Sequence, residues 1–433
     1  MPGVESPPTA RRRHPWWIPP FFGRVPDDLS DHHLRLLGAV ALALLFEEYD
    51  FAMLTSTLKY FAAELGMREP DLPRYLGVIR LGALPAFVLI PFADRLGRRR
   101  VFLFSVVAMG LVTFLTAFVQ TAVQFIVLQM LSRTFFVTGS AIAFVIISEE
   151  FPAQRRGWGV GMLGALALVG HGLEAALFAR IESLPYGWRA LYAIGIVPVL
   201  LFPFFRHRIV ETTRFTRTHA ATGSDAAAGP LAWTIPLRAL VRHYPARALG
   251  VALIGFLPAM GLAVAFQFTA YFTMTVHGWT PGQYALMIVV GGGVGLIGNI
   301  VAGRLSDRFG RRIVGFGMLA LFPAAVALFY LGPARLLPLA WVAFLFTSQG
   351  GRVTLRALAT ELFPTAERGA SSGLFAILEA VGNAAGLFLL GFGLQSPGDL
   401  ARMIPMIALS SLLGGAVLWF FPETHQRELE AIA

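Results

Sequence analysis

The stretch that decides the fold is Asp94-Arg95-Leu96-Gly97-Arg98-Arg99-Arg100, a densely charged turn between two long apolar runs. A second copy, Asp307-Arg308-Phe309-Gly310-Arg311-Arg312, begins 213 residues later. Phe151-Pro152 and Arg156-Gly157 return 212 residues on, as Phe363-Pro364 and Arg368-Gly369. Two motifs repeated at almost one offset predict a duplicated half. The arginines alone would fit any positively charged membrane loop. Asp and Gly at the same places in both copies ask for a specific turn, in which glycine permits a tight reversal.

Working outward from that turn, composition sets the solvent. Of 433 residues, 56% are hydrophobic and 14% charged, with mean hydropathy +0.66. That excludes a soluble domain and predicts a polytopic membrane protein. A formal charge of +10 would suggest nucleic acid for a soluble chain; here the 35 basic residues, all arginine except Lys59, belong to membrane topology. Without cysteine there is neither a disulfide nor a thiolate metal site. No phosphate-cradling loop, metal-ligand spacing or catalytic extramembrane domain is legible, so the expectation is no enzyme and no cofactor, with a proton gradient as the energy source.

Apolar stretches of about 20 residues predict helices near 34–56, 75–93, 101–119, 122–148, 158–180, 188–205, 246–275, 283–303, 313–332, 337–362, 370–394 and 402–421. The predicted fold is an all-α membrane protein of twelve transmembrane helices in two pseudo-symmetric six-helix halves, 34–205 and 246–421. Residues 1–33 read as a cytoplasmic N-terminal tail rather than a signal peptide. Residues 206–245 read as a cytoplasmic linker that tethers the halves and anchors at the membrane surface, and 422–433 as a cytoplasmic C-terminal tail. The arginine bias of the even-numbered connections places both termini in the cytoplasm. A monomer in the cell membrane, of the bacterial inner membrane type, is expected. Glycines crowd 291–303 (Gly291, Gly292, Gly293, Gly295, Gly298, Gly303) and the fifth span (Gly157, Gly161, Gly164, Gly170), where helices either pack closely or slide.

The loop "Asp-Arg, x, Gly-Arg-Arg" after the second and eighth spans resembles the signature of the major facilitator superfamily, and "Glu, x, x-Pro…Arg-Gly" after the fourth and tenth resembles its companion. Pro422-Glu423-Thr424 is similar to the C-terminal "Pro-Glu-Thr" of sugar porters. The resemblance covers nearly the whole chain. It implies two halves rocking about a central site, with Asp94, Arg95, Gly97, Arg98, Arg99, Glu150 and Arg156 forming one part of a cytoplasmic gate. Asp307, Arg308, Gly310, Arg311, Arg312, Glu361 and Arg368 form the other. Positive-inside anchoring is the plainer alternative for the arginines.

Ionisable side chains in a membrane core cost at least about 2.5 kcal/mol each, so each needs a partner or a task. The first span carries Phe46-Glu47-Glu48-Tyr49-Asp50-Phe51. Glu47 and Asp50 share a face and Glu48 points about 100° away. Tyr49-Asp50 resembles the "Gly-Tyr-Asp" of proton-coupled sugar porters, and Glu47-x-Tyr49-Asp50-Phe51 the "Glu-Trp-Tyr-Asp-Phe" of metabolite:proton symporters. Both resemblances put a proton-carrying carboxylate at Asp50, bridged to Arg133, although Arg133 stands about one turn nearer to Glu149 and Glu150 than in that family. The alternative is that these acids only neutralise arginines.

Gln349, Arg352 and Arg356 share a face of the tenth span. Two guanidiniums suit a carboxylate through bidentate hydrogen bonds better than a neutral hexose; they could instead pair with Glu379, or Arg356 could snorkel. His171 with Glu174, and Glu379 with Asn383, share faces of the fifth and eleventh spans, as substrate contacts or as hydrogen-bonded packing. Arg80, read as five residues into the second span, is expected to snorkel to the outer surface. Taken together, the sequence predicts a proton-coupled secondary transporter of a small organic anion. The alternatives are a sugar or polyol symporter, a drug exporter, or, less in keeping with a chain lacking any signalling domain, a membrane sensor.

Overall fold

A computed structural model describes residues 15–18, 25–222, 234–295, 297–364 and 367–423. Most of the predicted N-terminal tail, the centre of the linker and the C-terminal tail from Thr424 lie outside the described residues. Twelve spans follow one another: α1 Asp31–Ser56, α2 Glu69–Leu96, α3 Arg98–Thr116, α4 Ala122–Glu150, α5 Arg156–Phe178 and α6 Trp188–Leu200 continued by Phe202–Arg208. In the second half come α7 Pro245–Thr275, α8 Pro281–Gly295 continued by Ile297–Phe309, α9 Arg311–Leu331, α10 Leu337–Glu361, α11 Arg368–Gly393 and α12 Asp399–Phe420. The linker is partly helical, at Thr213–Thr222 and Thr234–His243.

By length and apolarity alone, eight of these helices qualify as membrane spans, nine with the bent α6. Among those that fail, α1 holds Glu47, Glu48 and Asp50, and α10 holds Arg352, Arg356 and Glu361. In α1 and α10 the clustered charges lower the apolarity that a span ordinarily has, whereas the single charges Arg80, Arg133, Glu174 and Glu379 sit on helices that remain apolar enough to qualify.

Small residues set several helix crossings. Gly170 of α5 lies on the backbone of Leu45 and Tyr49 in α1, and Gly298 on that of Phe346 in α10; Gly382 and Gly386 of α11 meet the α7 carbonyls of Phe256 and Met260. Any β-carbon there would push the helices apart. Gly157, Gly161, Gly292, Gly293 and Gly303 face open space, so they set no contact in this conformation.

The halves meet at the end away from the arginine-rich turns. There Phe388 of α11 packs on Gly77 of α2, the Phe178 and Tyr284 rings stand 5.8 Å apart edge to face, and Tyr271 donates to Glu69 at 2.5 Å. Toward the other end, Arg352 and Arg356 have side chains 41% and 56% exposed in mid-helix. Glu48 and Arg133 of the first half lie within electrostatic reach of Arg352 and Glu379 of the second, so these exposed charges mark a cavity between the halves.

Candidate functional site

Register around α1 distributes its three acids. Glu47 is fully buried against Gly139 of α4, and neither carboxylate oxygen has a hydrogen-bond partner among the described residues. Asp50, one turn on, is 6% exposed and accepts from Thr113 Oγ1 of α3 at 2.7 Å and Ser132 Oγ of α4 at 2.6 Å. The expected Asp50–Arg133 bridge is not formed. Ser132 and Arg133 are consecutive, so their side chains leave the helix about 100° apart. With Ser132 turned toward α1, Arg133 is turned into the cavity. Its guanidinium lies over the rings of Phe51 at 4.8 Å and Phe136 at 5.0 Å, and Nε and Nη1 have no hydrogen-bond partner among the described residues.

Glu48 is the acid of α1 that faces the cavity. Its Oε2 stands 3.4 Å from His171 Nδ1, an ion-pair distance whose geometry does not make a hydrogen bond. The expected His171–Glu174 unit is therefore divided: Glu174 is buried and accepts from Ser56 Oγ of α1. Across the cavity, Glu379 takes both arginines of α10, with Arg356 Nη2 at 3.0 Å and Arg352 Nε at 3.5 Å. This is the pairing the sequence offered as the alternative to a bound carboxylate, with the two oxygens of Glu379 serving one arginine each. Gln349 and Asn383 are part-buried on the same two helices, with no side-chain hydrogen bond among the described residues.

Arg80 overturns its expectation. The second span starts at Glu69 rather than near 75, so Arg80 lies roughly 16 Å along the helix instead of at its mouth. It is 6% exposed, reaches Gln267 Oε1 of α7 at 2.6 Å with Nη2, and holds its guanidinium 5.1 Å from the Phe51 ring. Gln267 Nε2 in turn donates to the Leu54 carbonyl at 3.1 Å. Thr113, Ser132, Glu48, Arg80 and Gln267 were not singled out from sequence as site residues. Only the two charged ones carried a signal, as costly intramembrane groups.

At the basic end the predicted gate takes form within each half. Arg98 pairs with Asp94 at 3.0 Å and Glu149 at 3.3 Å; Arg311 pairs with Asp307 at 2.7 Å and Glu361 at 3.2 Å. Glu149, not Glu150, is thus the arginine's partner, while Glu150 accepts from the Thr213 amide at 2.6 Å. Gly97 and Gly310 sit at φ +100° and +102°, which side chains rarely adopt. Each glycine opens a helix whose first amides are capped by a carboxylate just beyond the end of its own half. Arg99 N donates to Glu211 at 3.2 Å, and Arg311 N and Arg312 N to Glu423 at 2.8 and 3.2 Å. Arg99 Nη2 also reaches the Arg206 carbonyl at 2.6 Å, and Arg312 Nη2 the Trp419 carbonyl at 3.0 Å. Arg95, Arg156, Arg308 and Arg368 form no ion pair among the described residues; beside Arg156, it is Arg155 that holds Asp28 at 2.9 Å. That bond keeps the Asp28 carboxyl below its ordinary pKa.

A family model for the Major Facilitator Superfamily matches residues 40–387. The chain is 25% identical over 419 residues to a cis,cis-muconate transport protein of Acinetobacter baylyi, covering 89% of this chain and 93% of that one. It is 24% identical over 402 residues to the 3-(3-hydroxy-phenyl)propionate transporter of Escherichia coli, covering 90% and 95%. To a citrate-proton symporter of Klebsiella pneumoniae it is 26% identical, covering 75% and 72%. In three dimensions it resembles an inward-open structure of the xylose transporter XylE from E. coli, with TM-score 0.70 and 19% identity over 92% of this chain and 99% of that one.

Proposed function

The chain belongs to the major facilitator superfamily and is a transporter, not an enzyme; from that premise we propose that it carries a small organic carboxylate together with protons. The observation that carries this reading is the charge around the cavity. Four guanidiniums (Arg80, Arg133, Arg352 and Arg356) converge on a space into which only Glu48 and Glu379 point from the acids described above. Uncompensated positive charge at membrane depth is costly unless an anion completes it. The cavity wall between them is aromatic: Phe51 stacks with Phe136 at 5.5 Å and Phe266 at 6.2 Å. A flat apolar body bearing a carboxylate fits both features, and the muconate and hydroxyphenylpropionate carriers among its relatives support that class.

Asp50, with Glu47 a turn away, is the proton carrier on this reading. Hydroxyl groups donate to a carboxylate and accept from a carboxylic acid, so Thr113 and Ser132 accommodate Asp50 in either protonation state. With the arginine-rich turns in the cytoplasm, the cavity opens inward. The gate pairs, now internal to each half, are poised to meet across the halves when the cavity opens the other way.

The test is proton flux in proteoliposomes loaded with a pH dye. Adding benzoate, nicotinate, cis,cis-muconate or citrate should move protons with at least one acid. D-xylose should move none. Flux with the sugar and with no acid would replace this reading by the sugar-porter one.

A further inference from the structure

We propose that Arg80 receives the anionic group of the substrate, and that its bond to Gln267 makes anion capture and closure of that end of the cavity one event. The proposal rests on the carboxylate reading above and names the residue that reading leaves open.

Arg80 is a cation in a place where a neutral side chain would make the same bond. Its Nη2 bond to Gln267 joins α2 of one half to α7 of the other, yet an amide or hydroxyl could donate there without burying a charge. Burying the charge costs at least about 2.5 kcal/mol. No carboxylate lies within 4 Å of Arg80 among the described ion pairs, and Nε has no hydrogen-bond partner. Arg352 and Arg356 share Glu379; Arg80 shares nothing.

Geometry also gives Arg80 a position on the substrate's path. Its guanidinium and that of Arg133 lie 5.1 and 4.8 Å from the same Phe51 ring, which brings a buried and a half-buried cation to one aromatic side chain. A carboxylate at the edge of that ring relieves their mutual repulsion and occupies the free Nε donors of both. Gln267 is held on its other side by the Leu54 carbonyl, so α1, α2 and α7 meet at one amide. An anion that fixes the Arg80 guanidinium also fixes its bond to Gln267, and with it the approach of the two halves. Anion binding thus has a differential contact in the closed-end state, which a population shift requires.

The experiment uses the full chain in lipid nanodiscs and follows thermal stabilisation by benzoate, nicotinate, cis,cis-muconate and citrate against benzamide and nicotinamide. Wild type should be stabilised by at least one acid and not by its amide. Arg80→Lys should weaken that acid about tenfold and Arg80→Gln by roughly a hundredfold, the range of charge-assisted bonds. Gln267→Glu tests the idea without removing the arginine: it sets a resident carboxylate where the amide now bonds Arg80, and should exclude the acid as strongly as Arg80→Gln in a folded protein. Acid binding at wild-type strength in both Arg80→Lys and Gln267→Glu would overturn the proposal while leaving the carboxylate reading intact. A wild type that distinguishes no acid from its amide would defeat both.

The chain has no cysteine, so closure can be read separately from a pair introduced as Arg74→Cys and Gly391→Cys, positions in contact across the halves. Acid should raise oxidative cross-linking in that background and fail to do so when Gln267→Ala is added. An equal rise in both would break the link between Arg80 and closure.

Discussion

Replacing Asp50 by Asn separates coupling from transport. The carboxylate accepts two hydroxyl bonds, at 2.7 Å from Thr113 and 2.6 Å from Ser132, and Arg133 forms no bridge to it. Asn keeps one acceptor for Thr113 and turns its amide toward Ser132, whose hydroxyl then accepts. Stability should therefore change by only about 1 kcal/mol. Energetic coupling should change completely, because the amide carries no proton. One proton moving down one pH unit supplies about 1.4 kcal/mol, enough for roughly tenfold accumulation of a co-transported solute. In proteoliposomes with an imposed gradient of one pH unit, the wild type should concentrate its acid by up to that factor. Asp50→Asn should stop at equal concentrations inside and out while still exchanging labelled for unlabelled acid. Undiminished accumulation by Asp50→Asn that collapses on adding a protonophore would refute the assignment of the proton to Asp50.

Three further outcomes follow from the same geometry. Arg98→Ala removes the pairs with Asp94 and Glu149; it should shift the balance of the two open states by about 1–3 kcal/mol and slow transport. Affinity should stay within about an order of magnitude, and a defect confined to binding in the cavity would contradict the gate role. Glu423→Gln weakens the cap on the first amides of α9 and should cost about 1 kcal/mol; an unmoved thermal midpoint would rule out a structural cap. Arg352→Lys should bind the acid more weakly than wild type because an ammonium lacks the planar fork, and Arg352→Gln roughly tenfold more weakly. Unchanged binding in both, by competition with labelled acid, would remove Arg352 from the substrate's path.

Bilayer physics made the fold legible and left the site only partly so. A chain that must satisfy every backbone group inside hydrocarbon has helices as its means of doing so, so apolar length and a repeated turn were enough to place twelve spans. Azimuth was harder to read. Ser132 and Arg133 differ by one position, yet one meets Asp50 and the other Phe51, and the choice follows from how α4 rotates against α1 and α3. Depth failed for Arg80 because charged and polar residues between Glu69 and Arg74 hid the first turns of α2. Proline at positions 70 and 73 made that segment look like a loop, although proline is at home in a helix's first turn.

The two halves repeat where they rock and differ where chemistry is expected. At the basic end Gly97, Arg98, Glu149 and Glu211 each have a counterpart 212 or 213 residues on: Gly310, Arg311, Glu361 and Glu423. The same offset of 212 carries Glu47, Glu48 and Asp50 to Ala259, Met260 and Leu262, and carries Arg352, Arg356 and Glu379 back to Ser140, Phe144 and Ala167. On the proposed reading, protons are therefore held by the first half while the second contributes a paired cationic wall, and neither half could couple the two alone. Coupling must cross where the halves touch near the cavity, at Phe51 against Phe266 and at Arg80 bonded to Gln267. Phe51 directly follows Asp50, so a movement of α1 that accompanies protonation is delivered to that contact without an intermediary.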